Sequence, residues 1–116
     1  MIQYQWIIYW ADLTSHTGSE QTGRRPVLII SAEEVNEFLP VVTVVSLTSM
    51  KQGRKLYPTE AFLPSTETGL SQDSIAMAHQ IRSISKDRLD GACGRIDSEQ
   101  LKIEIRNAVT TYLDLL

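Results

Sequence analysis

Cysteine occurs once in this 116-residue chain, at Cys93, and histidine only twice, at His16 and His79. A single thiol excludes an intramolecular disulfide and a cysteine-built metal site, and it suits a reducing cytoplasm. Two histidines far apart are too few for a zinc site. No apolar run approaches the roughly 20 residues that a membrane helix needs. The start, Met1-Ile2-Gln3-Tyr4-Gln5, lacks the basic region of a signal peptide. Neither GxxxxGK[ST] nor GxGxxG is present, so no nucleotide-binding loop and no cofactor is expected. Positive charge is also short: the formal net charge is −3. Any nucleic acid must therefore be held by a local basic patch and not by the field of the whole molecule. Repeats, linkers and low-complexity segments are absent. The length and the 42% hydrophobic share predict one domain, 1–116, with a modest core.

Against those absences stand several short apolar runs. Residues 5–11 are aromatic and β-branched and read as a strand. Residues 26–31 form a short, continuously apolar strand, and 41–47 carry the strongest strand signal. Residues 32–38 fit one helical turn with Ser31 as its cap. Shorter strands are expected at 59–63, 74–78 and 80–84, and a helical turn at 86–89. Asp97-Ser98-Glu99-Gln100 reads as a capping box with Asp97 as N-cap. Beyond it, Leu101, Ile105, Ala108, Val109, Tyr112 and Leu116 recur at helical spacing, while Ile103 lies off that stripe. Short strands followed by one amphipathic helix predict a mainly β (α+β) fold, a small, partly closed barrel.

The richest polar stretch runs from Gly18 to Pro26: Gly-Ser-Glu-Gln-Thr-Gly-Arg-Arg-Pro. Glycines at its ends permit turn conformations, and Pro26 biases Arg25 to an extended backbone at the start of a strand. A guanidinium held there offers a planar fork that matches a phosphate. Thr48-Ser49 ends the 41–47 strand just before a basic loop with Lys51, Arg54 and Lys55. A hydroxyl at a strand end is also a common turn former, and loop arginines are commonly solvated surface. Gln80, inside His79-Gln80-Ile81-Arg82, is either a structural hydrogen-bonder or a reader of ligand.

In this order and spacing, the pieces resemble the MazF/PemK (Kid-like) family of toxin endoribonucleases. They are Asp12-Leu13, Gly18-Ser19-Glu20-Gln21-x-Gly23-x-Arg25-Pro26-Val27-Leu28-Ile29, Leu47-Thr48-Ser49, Tyr57-Pro58, Gln80-Ile81-Arg82-Ser83-Ile84-x-Lys86-x-Arg88-Leu89 and Gly94-Arg95-Ile96. The resemblance spans nearly the whole chain. It implies an SH3-like small β-barrel of the MazF/PemK/CcdB type with a C-terminal helix, usually a homodimer. It further implies a cytoplasmic mRNA interferase of a type II toxin–antitoxin system. Such an enzyme cleaves single-stranded RNA without metal, leaving a 2′,3′-cyclic phosphate and a 5′-hydroxyl. Its implied partner is a cognate MazE-like antitoxin with an acidic C-terminal segment.

Carried over position by position, the resemblance makes Arg25 and Thr48 catalytic and brings Glu20 into the active site. The candidate substrate-binding set is Ser19, Gln21, Arg24, Ser49, Lys51, Arg54, Lys55 and Gln80. Arg25 would stabilise charge on the phosphorane, Thr48 would donate to a non-bridging oxygen, and Glu20 would orient Arg25 or act as base. Two departures stand out. Tyr4-Gln5-Trp6 occupies the place of a Gly-Asp or Gly-Glu start, and Ser19 stands where some relatives carry histidine. His16 does not align with that position and receives no role. The alternative reading is a toxin of the same fold that poisons a protein target such as DNA gyrase, as CcdB proteins do.

Overall fold

The computed structural model describes residues 2–13, 18 and 22–115. Among these residues, six strands form one antiparallel sheet: β1 (Ile7–Asp12), β2 (Arg24–Ile29), β3 (Val41–Ser49), β4 (Glu60–Leu63), β5 (Ser74–Ser85) and β6 (Leu89–Arg95). Their order is β4-β5-β3-β2-β1-β6. The edges β4 and β6 do not pair, so the sheet curls without closing. It is accompanied by α1 (Glu33–Asn36), α2 (Ser65–Thr68) and the terminal α3 (Glu99–Leu113), with a 3-10 turn at Lys86–Arg88. The expected class, mainly β with a C-terminal helix, is the one observed.

Alternation along the strands produces two apolar faces. Ile8, Leu28, Val45, Leu47 and Ala76 share one with Leu101 and Ile105 of α3. Ala11, Val27, Ile29, Val42, Val44 and Ile84 share the other, with Tyr4, Tyr9 and Leu89 packed against it. α3 therefore covers only one side. Its N-cap is Ser98, whose Oγ accepts from the Leu101 N–H at 3.2 Å, one residue later than the expected Asp97. Asp97 instead accepts from Arg95 Nε at 2.9 Å. Leu101, Ile105 and Ala108 are buried as the stripe predicts and Val109 is half-buried, but Tyr112, near the end of α3, is exposed, as is Ile103; Leu116 lies outside the described residues.

The segments 74–78 and 80–84 are one bent strand and not two. β3 pairs Val44 with Arg82 but Ser46 with Met77. The surplus residues on β5 bend it, so that its first half also pairs with β4 while its second half follows the start of β3. Ser31 does not cap α1 with its side chain; it donates to Asn36 Oδ1 at 2.6 Å and accepts from Thr43 N–H at 3.0 Å. β6 escaped the sequence reading. Gly94 lies where it crosses α2, and a Cβ there would stand 2.7 Å from the Thr68 carbonyl oxygen. Only glycine permits that approach.

The N-terminal segment is fastened by Glu33. Its carboxylate accepts from Tyr4 N–H at 2.9 Å, Gln5 N–H at 2.8 Å and Asn36 Nδ2 at 3.3 Å. Burial pushes this carboxyl up, but those donors and the Lys86 charge outweigh it, and the net shift is downward.

Candidate active site

β2 and β3 place the two principal candidates side by side. Their ladder pairs Val27 with Ser46. Continued two residues, the same register sets Arg25 opposite Thr48. On its other side Arg25 pairs with Ala11 of β1, and Thr48 pairs with Ile75 of β5. The pair thus stands on one rung across four neighbouring strands, at the end where β2 begins and β3 finishes. Gly23, with φ at +80°, makes the turn that leads into β2.

A cleft of about 410 Å³ opens over this rung. Arg25, Thr48, Ser49 and Lys51 line it, so four of the sequence-predicted residues are brought together. Trp10, Leu70, Ser71 and Gln72 line it too. Leu70, Ser71 and Gln72 were missed because the α2–β5 connection reaches the cleft only through the tertiary fold, and Trp10 of β1 because it reads only as a strand residue. Asp73 holds that connection: its backbone oxygen accepts from Met50 N–H at 2.9 Å, and its carboxylate from Ser65 N–H at 2.8 Å. Among the described residues the lining holds two cations, Arg25 and Lys51, and no carboxylate. In a chain of net charge −3, the described lining is thus locally positive.

Arg25 is half-buried, and its Nε donates to the Thr22 carbonyl at 3.0 Å. That bond fixes the plane of the guanidinium. Among the described residues nothing pairs with its two terminal nitrogens, which leaves a fork for an anion. Thr48 is half-buried beside it and Ser49 is exposed. Ser19, Glu20, Gln21 and His16 lie outside the described residues.

The other candidates are not in the lining. Arg24 stacks over the Trp10 ring at 4.5 Å and pairs with Asp90 at 3.3 Å, so it braces a cleft wall from outside. Lys55 is exposed on the loop, and Gln80 is half-buried within β5. Arg54 is bound to Glu60 by two parallel hydrogen bonds of 2.9 and 2.8 Å. Glu60 is held below the usual carboxylate range, chiefly by those bonds, and Arg54 is raised by the same contact. Among the described residues, no three histidine, cysteine, aspartate or glutamate side chains gather to hold a metal. None of the described helices is long and apolar enough to cross a membrane.

The profile of the PemK-like, MazF-like toxin of type II toxin–antitoxin system matches residues 4–113. The chain belongs to this family. It is 38% identical over 94 residues to the endoribonuclease EndoA of Bacillus subtilis, a match covering 81% of this chain and 80% of that protein. To the endoribonuclease MazF9 of Mycobacterium tuberculosis it is 36% identical over 113 residues, covering 93% of each. The fold is also similar to a solved endoribonuclease in complex with its cognate antitoxin from a mycobacterial species. There the TM-score is 0.77 at 26% identity, over 99% of this chain and 98% of that one. The MazF/PemK fold thus accounts for the sheet and the terminal helix.

Proposed function

We propose that this chain is the endoribonuclease toxin of a type II toxin–antitoxin pair, and that it cuts single-stranded mRNA at short motifs without a metal. The meeting of Arg25, Thr48 and Lys51 in one cleft carries this reading. Relatives named as endoribonucleases support the activity.

In the proposed reaction the RNA 2′-oxygen forms a bond to the adjacent phosphorus as its proton leaves. The bond from phosphorus to the 5′-oxygen breaks, and that oxygen takes up a proton. A 2′,3′-cyclic phosphate and a 5′-hydroxyl result. Charge builds on the non-bridging oxygens, where the Arg25 fork and the Thr48 hydroxyl stabilise it. Arginine has too high a pKa for an ordinary general base. Glu20 is the candidate to orient Arg25 or to accept the 2′ proton. Lys51 and Ser49 bind the flanking chain, with Lys55 drawing phosphates in from the loop.

An acidic antitoxin segment suits the same cleft, and a similar mycobacterial endoribonuclease is solved in complex with its cognate antitoxin. The working form is a cytoplasmic homodimer. Ile103, Tyr112, Leu113 and Leu115 remain exposed on α3 and its end, an apolar surface that a second copy would cover. Purified protein on a long defined RNA, with Arg25→Ala as control, tests the proposal. Cleavage at a recurring motif by the wild type alone supports it; intact RNA under both proteins refutes it.

A further inference from the structure

Arg54 and Glu60 lie outside the cleft, yet they close the loop that delivers Lys51 to it. Residues 50–59, between β3 and β4, contain no strand or helix. They are held by a few hydrogen bonds. Met50 N–H donates to the Asp73 carbonyl at 2.9 Å, and Ala78 N–H to the Thr59 carbonyl at 2.9 Å, fixing the two ends. Arg54 N–H donates to the Lys51 carbonyl at 3.1 Å, which ties the two residues into one turn.

Glu60 sits under that turn with its side chain fully shielded from solvent. It takes both terminal nitrogens of Arg54, and its Oε1 also accepts from Tyr57 N–H at 3.0 Å. Arg54 Nη1 reaches the Lys55 carbonyl at 2.9 Å, and the guanidinium lies 5.9 Å over the Tyr57 ring. A shielded carboxylate needs its cation, so Arg54 is not available to a phosphate. Its guanidinium joins Glu60 to the Lys55 carbonyl while Glu60 holds the Tyr57 N–H, and together the two side chains clamp the loop.

We infer that the Arg54–Glu60 fork is a positioning device for RNA: it sets the 50–59 loop so that the Lys51 ammonium meets a phosphate beside Arg25 and Thr48. The inference rests on the RNA reading of the cleft. Arg54 and Glu60 touch no substrate; they act through Lys51. A free lysine stem explores many rotamers, and a fixed backbone beneath it lowers the cost of meeting one phosphate.

Lys51→Ala, Arg54→Lys and the double variant Arg54→Met/Glu60→Met test this beside the wild type. The double variant removes both charges at similar volume, a change that buried ion pairs often tolerate. Hydrogen exchange of the protein alone should speed up across 51–57 and stay unchanged in α3. Binding of a single-stranded RNA oligonucleotide should lose about 0.7 from its salt slope in both Lys51→Ala and the double variant. KM should rise about fivefold with kcat unchanged. Lys51→Ala added to the double variant should change nothing further. Arg54→Lys keeps a cation without the fork and should show part of the same loss; it decides the matter if the double variant does not fold. Unchanged loop exchange, or an additive effect of Lys51→Ala, overturns the inference. A wild type that binds no RNA refutes the reading of the cleft instead, while the exchange result still decides the loop.

Discussion

Arg25 stands opposite Thr48 across the seam of β2 and β3, on a rung extended from the Val27–Ser46 pair. Sheet register, and not loop geometry, therefore sets their spacing. Arg25→Ala should lower kcat/KM by about 10² to 10³, the usual loss for one preorganised donor to transition-state charge. Arg25→Lys should recover little of this, since an ammonium cannot reproduce the fork. Single-turnover cleavage of a short RNA measures both, and near-wild-type rates in Arg25→Lys would contradict the assigned geometry.

Cleavage should persist in excess EDTA. The chain has two histidines and one cysteine, and its described carboxylates do not cluster. Loss of activity on chelation, restored by a divalent ion, would show that the mechanism is incomplete.

Light scattering at micromolar concentration should return the mass of two chains. Exposed Ile103, Tyr112, Leu113 and Leu115 are the surface behind this expectation. A monomer would oppose it.

Acid should weaken the fold through Glu33 and Glu60. Both are held below the ordinary glutamate value of 4.5. A depressed folded-state pKa gives stability that is complete above the unfolded value and lost as pH falls through the folded one. Urea unfolding should thus give a flat stability down to about pH 5 and a decline below it. In Glu33→Gln the decline should be shallower; an acid limb of unchanged slope would mean that Glu33 contributes nothing.

Much of this was legible in the chain because it is local. The apolar run after Pro26 reads as a strand, although pairing with β1 starts β2 two residues earlier, at Arg24, and β2 ends at Ile29. The α3 stripe follows its 3.6-residue period. The rest depends on distant partners. β6 contains Gly91, Ala92 and Gly94, with little strand propensity, and becomes a strand by pairing with β1. Asp97 and Ser98 are both good caps, and the helix start is decided by where Ile96 is buried. Arg54 reads as a free cation until the loop folds back onto Glu60, and Gln72 reaches the cleft only because Asp73 fastens its loop.

The products of cleavage test the central claim most directly. A long defined RNA should be incubated with wild-type protein and with Arg25→Ala, and the new ends identified by mass spectrometry. Wild-type protein should leave 2′,3′-cyclic phosphate and 5′-hydroxyl ends at a recurring motif, and Arg25→Ala should leave the RNA intact. Ends bearing 5′-phosphate, or equal cleavage by both proteins, would contradict that claim.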